Sequence, residues 1–112
     1  DKLILPKATE GSDPSWFGFL ITIKDGVLIK RNALVEFLES KNIQTRNLFA
    51  GNIIKHPCFA PLKEGTDYRI CGELKNTDKI MNDSFWIGLY PGMTEDMIDY
   101  MINRISEYLS GK

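Results

Sequence analysis

The fold is decided by residues 85–109, which read FWIGLYPGMTEDMIDYMINRISEYL. The apolar run at residues 85–90 predicts a β-strand, and the Pro-Gly pair that follows predicts the turn that ends it. Thr94 is suited to cap a helix that begins two or three residues later, and Gly111 is suited to end that helix. The apolar residues of this helix form one stripe: Met97, Ile98, Met101, Ile102, Ile105, Tyr108 and Leu109. We therefore expect a strand, a turn and a long amphipathic helix.

Another strand is predicted upstream, at residues 15–24, where aromatic and β-branched residues run up to an Asp-Gly turn signal. Its apolar side chains fall on both faces, which predicts a central strand that is covered on both sides. In residues 31–41 the apolar residues change to helical spacing, and Asn42 is a suitable stop. A helix is therefore expected directly after this strand.

The middle of the chain is less regular. Residues 43–45 are short, β-prone and polar at alternate positions, so they predict a brief strand. Glycine, asparagine and proline interrupt residues 46–59, which predicts an irregular loop with one short helical turn, and residues 60–76 are loop-like as well. Thr77 is then expected to cap a short helix.

This order of elements predicts an α/β fold, specifically an α+β two-layer sandwich with a small sheet of about three strands and a long C-terminal helix. We expect residues 1–112 to form a single domain, with residues 1–13 as a lead-in segment. Helices on one face of the sheet would leave the other face with exposed aromatic residues. An uncovered apolar face of this kind is typical of a docking surface.

Composition and charge exclude several classes of protein. The 112 residues are 43% hydrophobic, and the formal net charge is -1 with scattered Lys and Arg residues. This pattern gives no basic footprint for nucleic acid or for an anionic membrane surface. The apolar stretches are also too short to span a bilayer. We therefore expect neither nucleic acid nor a membrane as a partner.

The two cysteines, Cys58 and Cys71, and the one histidine, His56, are too few for a structural zinc or iron–sulfur site. Spacing alone leaves a disulfide open, but we expect reduced thiols that are buried or inert, in a cytoplasmic protein. The chain opens on Asp1 without an initiator methionine, which we interpret as a sign that it was cut from a longer protein.

Residues that could perform catalysis are sparse. His56 has no evident partner for nucleophilic or acid–base chemistry and is interpreted as a surface or packed histidine. The glycines lack the spacing of a phosphate-binding loop, and Trp86 is expected in the core rather than as a stacking platform. We therefore expect no catalytic residue, metal or cofactor held by this chain alone.

The best candidate for a binding segment is TRNLFAGN at residues 45–52. Arg46 could bind a phosphate or carboxylate with two hydrogen bonds, and Gly51 would let a ligand approach the backbone. The two asparagines could bind hydroxyl groups, and Phe49 adds an aromatic ring. The alternative is structural, with Arg46 as a solvated charge at a strand end, Asn52 as a helix cap and Phe49 in the core.

The segment FWIGLYPGMTE at residues 85–95 resembles the closing strand, turn and helix start of the DegT/DnrJ/EryC1 family of sugar aminotransferases. TRNLFAGN, with a proline shortly before an aromatic residue downstream, resembles the dehydrase branch of that family, the sugar-nucleotide 3-dehydrases. WFGF at residues 16–19 and LKNTD at residues 74–78 fit the same branch. The resemblance extends over residues 14–109 and favours this branch over ordinary aminotransferases, which usually carry a His-Tyr-Pro type segment in place of TRNLFAGN.

This resemblance implies the C-terminal small domain of a fold type I enzyme that depends on pyridoxal or pyridoxamine phosphate and acts as a homodimer. The implied reaction removes the C3 hydroxyl of a CDP- or GDP-linked 4-keto-6-deoxy sugar in deoxysugar and lipopolysaccharide O-antigen biosynthesis. The cofactor and a catalytic histidine that replaces the usual lysine would belong to the enzyme's own large domain. Whether the whole protein carries an iron–sulfur cluster stays open.

By the same resemblance, the substrate cleft between the two domains would be lined by Arg46, Phe49, Gly51 and Asn52, and Arg46 would contact the sugar or its phosphates. The family commonly has glutamine before the proline, where this chain has His56. Two other interpretations stay open. One is the same domain from a true aminotransferase of the family, and the other is a free-standing α/β interaction module.

Overall fold

The computed structural model describes residues 1–111. In chain order its elements are β1 (Leu3–Ile4), β2 (Gly18–Ile23), α1 (Arg31–Ser40), β3 (Thr45–Asn47), α2 (Lys75–Asp83), β4 (Ser84–Gly88) and α3 (Glu95–Ser110). Two short 3-10 turns, Ile53–Lys55 and Pro57–Phe59, lie between β3 and α2. The mixed α/β class and the long C-terminal helix expected from the sequence are confirmed.

The sheet has the strand order β1-β2-β4-β3, and every neighbouring pair is antiparallel. β2 and β4 form its centre and pair over five residues each, with Ile21 opposite Phe85. The central position predicted for the strand at residues 15–24 is therefore confirmed, although the strand is shorter than predicted. The sheet has one strand more than the three or so expected, because Leu3 of the lead-in segment pairs with Ile23.

The hydrophobic core lies between one face of the sheet and helices α1 and α3. Ile21, Phe85 and Ile87 point to this face and are 5% exposed or less, and Leu34 and Leu38 of α1 are fully buried against them. Burial of one such side chain contributes about 1.5–3 kcal/mol. This face of the two-layer sandwich is therefore well covered.

Thr94 caps helix α3 as the sequence predicts, although the helix begins at Glu95, earlier than the expected start at residue 96 or 97. The Thr94 hydroxyl accepts a hydrogen bond from the Met97 amide at 3.3 Å, and Gly111 ends the helix in the left-handed conformation with φ of 69°. The apolar stripe is divided. Three members pack against the core, namely Met101, Ile105 and Tyr108, whereas three others are 40–54% exposed, namely Met97, Ile98 and Ile102.

The brief strand predicted at residues 43–45 lies two residues later, at Thr45–Asn47. The cause is the end of α1. Asn42 adopts φ of 60°, and the amide of buried Ile43 donates to the Leu38 carbonyl at 3.0 Å, so these residues close the helix in a Schellman-type motif and are unavailable to the sheet.

Two further predictions are wrong. Helix α2 begins at Lys75, and its N-terminus has no side-chain cap, so Thr77 lies inside the helix and does not cap it. Cys58 and Cys71 are free thiols, as expected, but both are exposed rather than buried, because they lie in the loop-rich segment between β3 and α2.

Candidate functional site

The face of the sheet opposite the core is open at the end where β2 begins and β4 ends. Arg46 of β3 pairs with Trp86 of β4, so the two side chains lie next to each other on this face. A Cβ atom at Gly18 would lie 3.3 Å from the Trp86 ring. The glycine at this position therefore makes room for the indole to lie across the sheet.

Three aromatic rings form a cluster on this open face. The ring centroids of Phe17 and Phe49 lie 5.1 Å and 5.0 Å from that of Trp86, at interplanar angles of 58° and 77°. These tilted and edge-on geometries are favourable for aromatic pairs. The cluster borders a groove of about 410 Å³, here called the aromatic groove, which is lined by Phe17, Gly18, Arg46, Asn47, Phe49, Trp86 and Gly88.

The exposure of these rings rules out the core interpretation of Phe49. Phe17 is 80% exposed and Phe49 is 79% exposed, while Trp86 is half-buried between them. Phe49 has a φ of 43°, an uncommon value for an aromatic residue, so the chain accepts a strained backbone at the position that directs this ring outward. Trp86, predicted to be core, therefore forms the floor of the aromatic groove.

Arg46 is exposed at the groove, and only some of its N–H donors make hydrogen bonds within the chain. Its Nη1 donates to the Thr45 carbonyl at 3.0 Å, and the Gln44 amide, with its oxygen oriented toward the guanidinium, accepts from Nη2 at 3.0 Å. A guanidinium has five N–H donors, so several stay available for a ligand. Hydrogen bonds from Thr45 lower the pKa of Glu39 below its ordinary value, and the charge of Arg46 adds to this effect.

Asn47 is held by a residue from the start of α1. Arg31 donates from Nη1 to the Asn47 side-chain oxygen, and from Nε and Nη2 to the carbonyls of Asn82 and Met81, each at 3.1 Å. Because arginine has no acceptor, the Asn47 atom that faces it must be the oxygen. Asn47 pairs with Phe85 of β4, so its side chain lies on the helix-covered face of the sheet and not on the face of Arg46 and Trp86.

Gly51 and Asn52 lie beside α2 rather than in the lining of the aromatic groove. Asn52 is 2% exposed and donates to the Asp78 carboxylate at 2.7 Å, and Lys55 pairs with the same carboxylate at 2.8 Å. A Cβ at Gly51, where φ is 60°, would lie 2.5 Å from Met81 Cγ. The close approach expected at Gly51 is therefore made by a side chain of α2.

The structure thus divides the four residues proposed from the sequence. Arg46 and Phe49 lie together in the aromatic groove, whereas Gly51 and Asn52 brace the loop that follows it. Phe17 was quoted only as part of a family-like segment, and Arg31 was not singled out. The sequence placed Phe17 inside the predicted strand at residues 15–24, and only the structure shows it before the strand and exposed. The role of Arg31 depends on contacts with residues 16 to 51 positions away.

His56 lies outside this lining. Its Nε2 makes a hydrogen bond with the Ala50 carbonyl, which fits the interpretation of a packed histidine. Within residues 1–111, no group of three or more His, Cys, Asp or Glu side chains could hold a metal ion. In the same described range, no helix has both the length and the apolar character needed to cross a membrane.

A second groove of about 440 Å³ runs along the first half of α3. The only charged side chain in its lining is the carboxylate of Asp96. The Tyr100 hydroxyl at its border donates to the Lys41 carbonyl at 3.1 Å, which links α3 to the end of α1. The aromatic groove is the better candidate for an anionic ligand, since the Arg46 guanidinium lies at its edge whereas the second groove carries a carboxylate.

Comparison with known proteins adds independent findings. A family model described as the DegT/DnrJ/EryC1/StrS aminotransferase family matches residues 2–106. The lipopolysaccharide biosynthesis protein RfbH of Salmonella typhimurium is 54% identical over 106 residues, which are 95% of this chain and 23% of that protein. The dTDP-4-dehydro-2,6-dideoxy-D-glucose 3-dehydratase of Saccharopolyspora spinosa is 51% identical over 108 residues, 96% of this chain and 22% of that protein. The chain spans just under a quarter of these relatives.

Solved structures agree with this relationship. The E. coli GDP-4-keto-6-deoxy-D-mannose-3-dehydratase with bound hydrated PLP has a TM-score of 0.79 and 27% identity, over 93% of this chain and 25% of that one. A GDP-4-keto-6-deoxymannose-3-dehydratase variant with bound GDP-perosamine has the same TM-score and identity, over 93% and 26%. The aminotransferase TlmJ from Streptoalloteichus hindustanus, at 14% identity and a TM-score of 0.74 over 99% of this chain and 27% of that one, shares the fold.

Proposed function

The chain belongs to the DegT/DnrJ/EryC1/StrS aminotransferase family, and from this premise we propose that it is the small, substrate-side domain of a nucleotide-sugar 3-dehydratase that depends on pyridoxal or pyridoxamine phosphate. The whole protein would remove the C3 hydroxyl of a 4-keto-6-deoxy nucleotide sugar in deoxysugar or lipopolysaccharide biosynthesis. One of the relatives described above is named for lipopolysaccharide biosynthesis and another as a nucleotide-sugar 3-dehydratase, and both align over at least 95% of this chain.

The observation that carries the proposal is the position of Arg46 beside the exposed rings of Phe17 and Phe49. A fixed cation at the edge of an aromatic surface suits a ligand that combines anionic phosphates with a ring system, which is the composition of a nucleotide sugar. We assign Arg46 to the sugar or its phosphates and Phe49 to the wall of the cleft. Gly51 and Asn52 support this wall from behind, through their contacts with α2.

The aromatic groove does not fit the cofactor by itself. Its lining contains no lysine, histidine or carboxylate, so it offers no group to hold the aldehyde carbon or the ring nitrogen of pyridoxal phosphate. We therefore assign cofactor binding and catalysis to the rest of the protein, the large domain, and assign to this chain the binding and orientation of the substrate. We further propose that the whole protein is a homodimer. We also propose that it acts in the cytoplasm, because the free thiols of Cys58 and Cys71 are typical of a reducing compartment.

The experiment is a turnover assay on the full-length protein that contains these residues, reconstituted with pyridoxamine phosphate. CDP-, GDP- and dTDP-linked 4-keto-6-deoxy sugars are offered in turn, and the 3-deoxygenated product is identified by mass spectrometry. We expect Arg46→Ala to reduce turnover, substrate affinity or both, and Arg46→Lys to recover only part of the loss, because lysine cannot form the bidentate bond. Unchanged turnover and affinity in Arg46→Ala would remove Arg46 from the site.

A true aminotransferase of the same family is the second candidate, since the family carries that description and TlmJ shares the fold. The two candidates differ in their product, because an aminotransferase would replace the keto oxygen with an amino group and keep the C3 hydroxyl. Transfer of nitrogen from an amino acid to the sugar, without loss of that hydroxyl, would favour the aminotransferase. The residue of the large domain that faces the cofactor provides a second criterion, with lysine expected in an aminotransferase and histidine in a 3-dehydratase.

A further inference from the structure

We propose that helix α2 positions residues 46–52 for the substrate, and that Arg31 and Asp78 are positioning residues that act through this segment. In this arrangement Arg46 and Phe49 contact the substrate, whereas Arg31 and Asp78 determine where the segment that carries them lies. The inference rests on the function proposed above and deepens it, because it extends the site from the side chains at the groove to the contacts that hold them in place.

The first anchor holds the start of the segment. The Arg31 guanidinium donates to the Asn47 side-chain oxygen. It also donates to the carbonyls of Met81 and Asn82, at 3.1 Å each. Both carbonyls lie in the last turn of α2, so one side chain joins Asn47 to the C-terminal end of that helix. Because Asn47 is the last residue of β3, this contact fixes the direction in which the chain leaves the sheet toward Phe49.

The second anchor holds the end of the segment. The buried Asn52 side chain donates to the Asp78 carboxylate at 2.7 Å, and the Asn52 amide donates to Met81 Sδ at 3.3 Å. Gly51 leaves no space for a Cβ, because the Met81 side chain lies directly against it. Asp78 and Met81 are three positions apart in α2 and therefore share one side of the helix. The same helix thus holds both ends of the segment, through Arg31 at one end and through its own side chains at the other.

Phe49 lies between the two anchors in a conformation that is uncommon for an aromatic residue. Its φ is 43°, and its ring is 79% exposed although it contacts the Trp86 ring edge-on. A strained backbone persists where the surrounding structure imposes it, and the burial of so exposed a ring offsets little of the cost. The hydrogen bonds of residues 48–51 reach partners within six positions along the chain, so they preserve the shape of the loop but do not attach it to α2. Loss of either anchor should therefore let Phe49 move away from Trp86.

Hydrogen exchange measured by mass spectrometry tests the two anchors without depending on activity. In the cofactor-loaded full-length protein, well below its melting temperature, we expect Arg31→Ala and Asp78→Ala each to speed exchange in peptides that cover residues 46–52 by about tenfold or more. Peptides from β2 and α3 should exchange as in the unchanged protein. Arg31→Lys should give an intermediate rate, because an ammonium group can reach only some of the oxygens that Arg31 contacts. The control is Arg69→Ala, which removes an exposed arginine and should change nothing.

A double-mutant cycle tests whether Arg31 acts on the substrate through the segment. KM and kcat are measured for the nucleotide-sugar reaction that the full-length protein catalyses. We expect Arg31→Ala to raise KM by about tenfold and to change kcat by less than about threefold, since the segment binds substrate and transition state alike. Phe49→Ala should have a similar effect. In the Phe49→Ala background, Arg31→Ala should raise KM by much less than about tenfold, because the ring that it positions is already absent.

The outcomes separate this inference from the proposed function. Faster exchange confined to residues 46–52, together with non-additive effects on KM, supports the inference. Unchanged exchange of this segment in either alanine variant, or equal acceleration across all peptides, would overturn it, because the contact would then stabilise the whole fold or nothing. An unchanged KM in Arg31→Ala, or effects on KM that multiply in the double variant, would overturn it as well. Amino transfer to the sugar in place of loss of the C3 hydroxyl would contradict the proposed function, and the exchange rates and the cycle would still decide the inference.

Discussion

The Arg31 guanidinium donates a hydrogen bond to the side-chain oxygen of Asn47, and the same group donates to two carbonyl oxygens in the last turn of α2. One side chain at the start of α1 therefore joins the end of β3 to the end of α2. Carbonyls at a helix C-terminus have no partner within the helix, so the guanidinium satisfies groups that would otherwise depend on water.

Arg31→Ala is expected to lower the free energy of unfolding by about 1–3 kcal/mol, because it leaves the Met81 and Asn82 carbonyls and the Asn47 oxygen without their donor. Arg31→Lys should recover part of this loss, since an ammonium group can reach one or two of these oxygens but not all three. Urea denaturation of the chain measures the effect. Arg69→Ala, at an exposed position, is the control and should be close to neutral.

Gly51→Ala tests the packing of the loop against α2. The position has φ of 60° and a Cβ there would lie 2.5 Å from Met81 Cγ, so we expect a loss of stability of about 1–3 kcal/mol from strain and overpacking together. Gly65→Ala separates the two effects, because Gly65 also has a positive φ, of 84°, but no atom lies near its added Cβ. Equal melting temperatures for the two variants would show that Met81 exerts no steric constraint.

The sequence predicts the central elements well because their signals are local. Three signals depend on neighbouring residues alone: the β-prone run that ends at the Asp-Gly turn, the helical spacing of residues 31–41 and the Thr94 cap. Each corresponds to an observed element. β1 is not predicted because two residues carry too little pattern. β3 is displaced because the Asn42 turn uses Ile43 to close α1, which is a competition between two local structures that spacing does not resolve.

The site is harder to predict from the sequence, because it depends on where each side chain points and not only on the residue type. Arg46 and Phe49 are found from composition and resemblance, and both do reach the groove. Asn52 belongs to the same segment, yet its amide turns inward to Asp78, a residue 26 positions away. Hydrophobicity predicts that Trp86 is a core residue, but it follows Phe85 directly in β4, and neighbouring residues of a strand point to opposite faces of the sheet. Such outcomes follow from tertiary contacts that no local pattern encodes.

The Asn52–Asp78 contact makes a prediction for acid stability. Hydrogen bonds from Lys55 and Asn52 lower the pKa of Asp78 below its ordinary value. A carboxyl whose folded pKa is depressed adds stability above its unfolded pKa of about 3.9, and this stability is lost as the pH falls through the folded value. Asp78→Asn should therefore lower the melting temperature at pH 7 and converge with the unchanged protein at acid pH.

Melting temperatures of the two proteins across the pH range check this prediction, with Asp99→Asn on the exposed surface of α3 as the control. Asp99→Asn should follow the unchanged protein at every pH. A difference between Asp78→Asn and the unchanged protein that stays constant down to the lowest pH would mean that the charge of Asp78 contributes nothing. The remaining effect would then come from the altered hydrogen bonds alone.

The divided stripe of α3 provides the last prediction, and it concerns what the rest of the protein covers. Ile105 packs against the core, whereas Ile102 on the same helix is 54% exposed. In the isolated 112-residue chain, Ile105→Ala should therefore cost about 2 kcal/mol, and Ile102→Ala should change stability by less than about 0.5 kcal/mol. In the full-length protein, the stability costs of the two substitutions should become more similar if the large domain or a second subunit packs on the exposed half of the stripe. A cost for Ile102→Ala that is the same in both settings would show that this half of α3 remains in contact with water in the whole protein.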